Sequence, residues 1–356
     1  MIRFAWVQAR IQTLIVAAVL AATAIVLAVS GPHLLHLYNI TVAGCSARGD
    51  CSTALSDYLK NDSVLRSWLG VLVVAVPGIL GTFWGAPLVA RELEAGTFRL
   101  AWTQSATRSR WLAVKLGLVG LASMAAAGLL SLMVTWWASP LDRANMDIFS
   151  TFDQRDVVPV GFALLAFVLG VMAGLIIHRT LPAMAATLAA FVGARLAITK
   201  WVRPNLISPL HQSNPITAGS IVGYASTGGP GTLQVAPPNM PNAWIYSTRL
   251  VDSSGHGITA AYLQTACPAV VNAGAGPSAP SGLGIGASSN HTQAPAGAQE
   301  ALQQCGAKVA AVFHEVITYQ PGSRYWDLQW IELGIYVTGA VALAGLCIWW
   351  IRRRLA

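Results

Sequence analysis

The sequence has few charged residues. Of its 356 residues only 10% are charged, 54% are hydrophobic, and the mean hydropathy is +0.56. Because a soluble globular domain has about 25% charged residues, this composition excludes an ordinary soluble protein. It predicts a chain that lies mostly in a lipid bilayer.

Motifs of nucleotide-dependent and metal-dependent catalysis are also missing. Gly is nowhere followed by Lys, so the chain has no phosphate-binding loop of the Walker type. His314 and Glu315 begin like a zinc-protease helix, but Thr318 stands where the second His is needed. Gly-x-Ser-x-Gly is absent as well. We therefore expect no catalytic residues, no metal and no cofactor bound by this chain, and an enzyme is the least favoured class.

Six long runs with at most one charged residue are each close to the 20 or so residues that a helix needs to cross a bilayer. They are residues 11–30, 68–90, 116–138, 157–177, 181–199 and 333–351. No Asp, Glu or His lies near the middle of a run, which argues against proton-coupled transport. The fold class predicted is an all-α, polytopic membrane protein with six transmembrane helices.

Basic residues indicate the orientation, because Lys and Arg are retained on the cytoplasmic side. With both termini inside, the inner segments are residues 1–10, 91–115, 178–180 and 352–356. These short segments carry 11 Lys and Arg against two acids, whereas the longer remainder carries 11 basic residues and 12 acids. The sequence thus predicts a multi-pass membrane protein with both termini in the cytoplasm. It does not predict a nucleic-acid binder, since the basic excess lies at helix ends.

The N-terminus allows more than one interpretation. Arg3 and Arg10 share one helical face, which favours an amphipathic helix at the membrane surface, although an ordinary basic flank explains the spacing equally well. Ala28, Val29 and Ser30 resemble a signal-peptide cleavage site. Because the apolar run is long for a signal peptide, we favour an uncleaved first helix.

The interval between the fifth and sixth runs is long enough for a separate domain. The chain therefore divides into residues 1–199, an extracellular domain at residues 200–332, and residues 333–356 with the last helix and a basic tail. Within that domain, residues 273–299 are rich in Gly, Ala, Ser and Pro, which predicts a flexible loop.

The same domain is predicted to mix helices and strands. Residues 244–251 have strand-forming side chains, and residues 257–267 and 298–319 show helical spacing. We therefore expect an α+β domain.

Four of the five cysteines fall in predicted outer segments. The pairs Cys45–Cys51 and Cys267–Cys305 each stay within one segment, and an oxidising exterior permits such disulfides. Other connectivities and free buried thiols remain open.

Charges at the ends of the runs mark two further places. The loop at residues 91–115 holds seven of the 36 charged residues. Arg195 and Glu332 intrude into the outer ends of the fifth and sixth runs. They either reach the interface separately or form an ion pair between the two helices.

Residues 86–116, APLVARELEAGTFRLAWTQSATRSRWLAVKL, resemble the permease subunits of bacterial ABC-2 type exporters, which are the transmembrane subunits of ABC transporters. Residues 319–332 and the terminal Trp-Trp-Ile-Arg-Arg-Arg are similar to the same group. The resemblance covers the six-span order and both motif regions.

This resemblance implies a protein of the bacterial plasma membrane. It also implies a homodimer, or a pair with a close relative, bound by two separate ABC ATPase subunits that hold ATP and Mg. The N-terminal segment would be the connecting helix, and the loop at residues 91–115 would contain the coupling helix. The expected neighbourhood of ATPase contact is Arg91, Glu92, Glu94, Thr97, Arg99, Gln104, Arg108 and Arg110.

The resemblance also implies a cavity between the two copies, with spans two and five at its wall. The candidate lining residues are Phe83, Trp84, Met184, Thr187 and Phe191. Their apolar character suits a hydrophobic or amphiphilic substrate such as a drug, an antibiotic or a lipid-like compound, although lipid contact or helix packing explains each of them too. A different class also remains open: a mechanotransmission or signalling component whose extracellular domain binds a partner without transport.

Overall fold

The chain divides into two compact units in a computed structural model. The first comprises Met1–Ser208 and Ser323–Ala356, and the second comprises Pro209–Gly322. The residues that the structure describes are 2–43, 45, 52–61, 63–96, 107–145, 147–225, 232–235, 240–274, 283–284 and 297–354. The second unit is shorter at both ends than the predicted domain 200–332, because helical structure continues past Lys200 and resumes before Glu332.

Among the residues that the structure describes, six helical segments are long and apolar enough to cross a membrane, which agrees with the predicted number and order. They are Thr13–Val42, Ser63–Glu94, Ser109–Ala144, Phe149–Ile177, Thr180–Asn205 and Gly322–Arg353, called here the first to sixth spans. Each is longer than the corresponding apolar run, because a helix continues past the polar and charged residues that flank the run until its backbone turns.

The described helices are α1 (Ile2–Leu37), α2 (Ser52–Asn61), α3 (Ser63–Leu80), α4 (Ala86–Glu94), α5 (Arg108–Asn145), α6 (Val158–Ile177), α7 (Thr180–Ala197), α8 (Ala260–Ala266), α9 (Pro268–Gly274), α10 (Ala298–Ala310) and α11 (Tyr325–Arg354). Short π-helical segments occupy Tyr38–Val42, Gly81–Gly85 and Ile198–Val202, and Phe149–Gln154 and Arg203–Asn205 are 3-10 helical. The predicted amphipathic segment at the N-terminus is continuous with α1, with no break before the first span.

The fourth span is the centre of the first unit, since α6 packs against α3, α4, α5, α7 and α11. Its closest neighbour is the second span, and the crossing is made by glycines spaced four apart. A Cβ on Gly81 would lie 2.4 Å from the carbonyl oxygen of Ala166, and one on Gly170 would lie 2.3 Å from the carbonyl oxygen of Gly81. Gly85 and Gly174 continue the contact on either side. Small residues at this spacing let two helix backbones touch, which is a usual way of packing spans in lipid.

Five exposed tryptophans lie at the end of the bundle away from the loop between α4 and α5, while the exposed Trp349 lies near the other end of α11. The five occur near the start of α3, the end of α5, the end of the fifth span and the start of α11: Trp68, Trp136, Trp201, Trp326 and Trp330. Tryptophan is enriched where a membrane meets water. This belt indicates the level of one membrane face.

The second unit is a small α+β unit with two three-stranded antiparallel sheets. The strands are β1 (Leu210–Pro215), β2 (Ile221–Ala225), β3 (Thr232–Val235), β4 (Trp244–Asp252), β5 (Leu283–Gly284) and β6 (Phe313–Gln320). The sheet orders are β1-β6-β4 and β3-β2-β5. Helices α8, α9 and α10 supply Leu263, Val270, Leu302 and Val309 to a common core.

One element of this unit differs from the prediction. The helix expected over residues 298–319 ends at Ala310, and Phe313–Gln320 forms the central strand of the first sheet. Phe313, Glu315 and Ile317 are buried and alternate with half-buried neighbours. The burial pattern therefore repeats every two residues, as in a strand, and not every 3.6 residues, as in a helix. The predicted strand at residues 244–251 is present as β4, and the helix predicted over 257–267 is the shorter α8.

Cysteine residues occur in both units. Cys267 and Cys305 are joined by a disulfide with Cα atoms 5.1 Å apart, within the core of the second unit. Cys51 lies outside the described residues, so the Cys45–Cys51 pair stays a prediction. Of the segment 273–299, the structure describes only residues 273–274, 283–284 and 297–299.

Candidate functional site

The loop between the second and third spans leaves the bundle at the end of α4 and returns at the start of α5. Among the predicted contact residues, Thr97, Arg99 and Gln104 lie outside the described residues, as does the side chain of Arg108. Arg91, Glu92, Glu94 and Arg110 are described. They form what we call the loop base.

A buried ion pair joins the two helices at the loop base. Lys115 Nζ lies 2.5 Å from Glu92 Oε1 and also donates to the carbonyl oxygen of Leu88 at 3.3 Å. The same ammonium lies 4.4 Å from the centre of the Trp111 ring. Only 4% of Lys115 and 8% of Glu92 are exposed. Since a buried charge is tolerated when it is paired and hydrogen-bonded, this contact fixes α4 to α5 where the loop begins and ends.

A second contact joins the loop base to the fifth span. Glu94 Oε2 accepts hydrogen bonds from the Thr180 backbone N–H at 3.1 Å and from Thr180 Oγ1 at 2.8 Å. Thr180 is the first residue of α7, where backbone N–H groups have no partner within the helix. Glu94 therefore caps a helix distant in sequence, and its negative charge lies at the positive end of the helix dipole.

The two acids of the loop base, Glu92 and Glu94, thus both make contacts within the chain. Glu92 is buried, which corrects its assignment to a surface that a partner touches. Arg91, Arg110 and Arg179 are exposed around these contacts. The surface beside the loop base therefore carries positive charge.

The predicted cavity residues do not share one surface. Trp84, Thr187 and Phe191 are buried within the chain, and Thr187 Oγ1 donates to the carbonyl oxygen of Ala183 at 2.6 Å. The ring of Phe191 packs against Gly78, since a Cβ added to Gly78 would lie 3.0 Å from the ring. Phe83 is 52% exposed and Met184 is half-buried. Three of the five are thus buried within the chain, and packing between the second and fifth spans accounts for Phe191.

A polar cluster lies at the level of the tryptophan belt. Arg203 donates two hydrogen bonds of 2.7 Å to the fully buried Glu332, and Asp153 pairs with both Arg203 and Arg195, the latter at 3.1 Å. The predicted Arg195–Glu332 pair is therefore wrong in its partners. Arg203, near the end of the fifth span, pairs with Glu332, and Arg195 pairs with Asp153.

A neighbouring group extends this cluster to the third span. Arg155 pairs with Asp142 and Asp156, and Tyr325 Oη donates to Asp156 at 2.5 Å. Gln329 donates to the carbonyl oxygen of Phe152 at 3.0 Å and accepts from a backbone N–H of α6. These contacts hold the third to sixth spans together. The arginines occupy most of the carboxylates, so the arrangement suits mechanical connection better than acid-base chemistry.

Metal chemistry has no site in the part of the chain that the structure describes, where no three His, Cys, Asp or Glu residues are grouped to hold an ion.

Sequence reasoning missed Lys115, Thr180, Asp153 and Arg203. Lys115 is four residues after Trp111, so the two share a helix face, and this spacing was a usable signal. Asp153 and Arg203 lie just outside apolar runs, where a charged residue is usually interpreted as the flank of a transmembrane helix. The role of Thr180 depends on a contact with Glu94 across 86 residues, for which the local sequence gives no signal.

Comparison with known proteins gives one match. The family model described as ABC-2 membrane transporter related matches residues 17–203, more than half of the chain. The matched region contains both contacts of the loop base and ends at Arg203. No curated protein and no solved structure matches the chain.

Proposed function

The chain belongs to the ABC-2 membrane transporter related family, and on this premise we propose that it is the permease subunit of an ATP-driven exporter of hydrophobic or amphiphilic compounds. The family is that of membrane components of ABC transporters, in which a partner ABC ATPase hydrolyses ATP. The observation that carries the proposal is the family match over the first five spans and the loop base.

The exposed charge at the loop base supports ATPase docking there. Arg91, Arg110 and Arg179 are available to a partner, whereas Glu92 and Glu94 are occupied inside the chain. The buried Glu92–Lys115 pair makes α4 and α5 move as one piece. A force applied to the loop therefore reaches two spans at once.

Orientation follows from the same surface. We place the loop base in the cytoplasm because it is basic, and the second unit on the opposite, exterior side. The tryptophan belt at the other end of the spans is consistent with that arrangement.

A second copy of the chain is part of the proposal. The fifth span buries little of itself within the chain and exposes Leu181, Leu188, Val192 and Leu196. Apolar helix faces of this kind suit either lipid or another helix. We propose a dimer with two ATPase subunits, and an apolar path between the copies to which Phe83 contributes.

Reconstitution of the full chain with its cognate ABC ATPase in vesicles tests this function. We expect ATP-dependent movement of fluorescent amphiphiles across the vesicle wall, and no movement without ATP or without the ATPase. ATP hydrolysis that responds to a ligand of the second unit while no compound crosses would instead support a mechanotransmission component.

A further inference from the structure

We propose that Glu94 is a positioning residue that transmits movement of the loop between the second and third spans to the fifth span, by capping α7. The inference rests on the proposed function and assigns a task to one contact of the loop base.

The start of α7 needs a cap from elsewhere. Only two residues separate it from α6: His178, at φ 58°, and the extended Arg179, whose side chain caps nothing. The first turn of α7 contains no acid, and its third residue, Pro182, has no N–H. The first turn therefore has no carboxylate of its own to accept from its N–H groups. Glu94 supplies one to both the N–H and the hydroxyl of Thr180.

The two contacts of the loop base differ in exposure, and this difference assigns them different tasks. The Glu92–Lys115 pair is buried, so breaking it would leave a charge without a partner in a medium that solvates it poorly. Glu94 and its bonds to Thr180 are exposed to solvent. Water can replace either partner, so this contact can break and form again within a transport cycle.

The helix surfaces beneath Glu94 permit such movement. Helices α4 and α7 meet through Ala86, Ala90 and Ala183, with Met184 at the edge of the same cluster. Alanine side chains interlock little, so α4 can shift along α7 without a large steric barrier. Under these conditions the Glu94–Thr180 contact determines whether the fifth span follows α4.

The test compares Glu94→Ala, Thr180→Ala and the double variant in the full chain reconstituted with its ABC ATPase. The exported compound is the fluorescent amphiphile that the wild-type complex moves fastest. We expect Glu94→Ala to lower the number of molecules moved per ATP about fivefold or more, with the KM for ATP unchanged. Thr180→Ala removes the hydroxyl but keeps the backbone N–H that donates to Glu94, so its loss should be smaller. The double variant should be no worse than Glu94→Ala, since Glu94→Ala already removes both bonds.

Conservative variants and a matched control sharpen this test. Thr180→Ser keeps the N–H and the hydroxyl and should behave as wild type, and Glu94→Gln keeps an acceptor and should be intermediate. Glu300→Ala removes an exposed acid from the first turn of α10 and should change nothing. The inference would be overturned if Glu94→Ala moved as many molecules per ATP as the wild type. It would also be overturned if the reductions of the two single variants multiplied in the double variant.

Hydrogen exchange provides a measurement that needs no transported compound. In the wild-type complex we expect the exchange rate of the first amides of α7 to change when a non-hydrolysable ATP analogue and Mg bind the ATPase, and in Glu94→Ala to stay constant. A change of equal size in Glu94→Ala would refute the inference. Absence of transport by the wild-type complex would count against the proposed function instead.

Discussion

At the scale of single residues, the buried charges of the first unit occur in pairs. Lys115 and Glu92 hold the loop base, and Arg203 and Glu332 hold the opposite end of the spans. Sequence reading singled out Glu92 and Glu332, because each lies close to the end of an apolar run, and it missed Lys115 and Arg203. It assigned the partners incorrectly, since pairing depends on which helix faces meet, and one sequence does not determine that.

The buried pair at the loop base gives a stability prediction. Lys115→Met removes the ammonium that pairs with the buried Glu92 carboxylate, so we expect a loss of about 3–5 kcal/mol in the free energy of unfolding. Lys115→Met combined with Glu92→Leu should recover most of that loss. The measurement is denaturant unfolding of the purified chain in detergent. Arg91→Ala, at an exposed neighbouring position, serves as control, and an equal loss in it would contradict the account.

Glu315 gives a prediction about pH. This carboxyl lies on the buried face of β6, only 7% of the residue is exposed, and Oε1 has no hydrogen-bond partner. Burial raises the pKa of Glu315 above its ordinary value of 4.5. The folded state therefore binds the proton more tightly than the unfolded chain, and the stability contributed by this group is complete below about pH 4.5 and is lost as pH rises through the folded-state pKa.

Glu315→Gln should accordingly stabilise the second unit at pH 7 and weaken the pH dependence of its stability. Hydrogen exchange of the β6 amides in the full chain, measured between pH 4.5 and 7.5, checks this. The comparison variant is Glu300→Gln, which alters an exposed acid. Faster exchange in Glu315→Gln than in wild type at pH 7 would show that the carboxylate has a partner that the structure does not contain.

At the scale of elements, hydropathy predicts the spans well because the criterion reflects what lipid requires of a helix. Hydropathy does not predict the crossing of the second and fourth spans. A glycine in a helix can pack against another backbone or face lipid, and the sequence pattern is the same in both cases. Strand β6 was read as helix because Leu302, Val309 and Val316 lie at helical spacing, and the sheet on which β6 depends is formed by residues distant in sequence.

The glycine crossing predicts the effect of single substitutions. Gly170→Ala places a methyl group 2.3 Å from the carbonyl oxygen of Gly81, so the helices must separate, at a cost of about 1–3 kcal/mol or more. Gly117→Ala is the matched control in α5, because nothing lies within 4 Å of its added Cβ. Thermal unfolding of both variants in detergent should show a lower midpoint for Gly170→Ala alone. Equal midpoints would mean that the two spans do not touch at this glycine.

At the scale of the whole molecule, the sequence predicts a membrane part and an inserted unit. The boundaries between the two differ from the predicted ones. The predicted limits at residues 200 and 332 stopped at charges, whereas the first unit includes Lys200 and Glu332 because the Arg203–Glu332 pair keeps that region within the bundle. A charged residue is therefore a poor marker of a domain boundary when a residue of opposite charge on another span pairs with it.

Orientation is tested by labelling the full chain. Ala95→Cys lies beside the loop base and His256→Cys in the second unit, and both positions are exposed. A membrane-impermeant thiol reagent should label His256→Cys in intact cells, and Ala95→Cys only after the cells are opened. Labelling of Ala95→Cys in intact cells would reverse the proposed topology.

The most direct test of the central claim, that energy reaches this chain from a separate ATPase through the loop base, is the ATP hydrolysis rate in vesicles. We predict no hydrolysis by the chain alone, a higher rate for the cognate ABC ATPase when the chain is present, and loss of that stimulation in Arg91→Glu combined with Arg110→Glu. Hydrolysis by the purified chain without its partner, or full stimulation by the charge-reversed variant, would contradict the account.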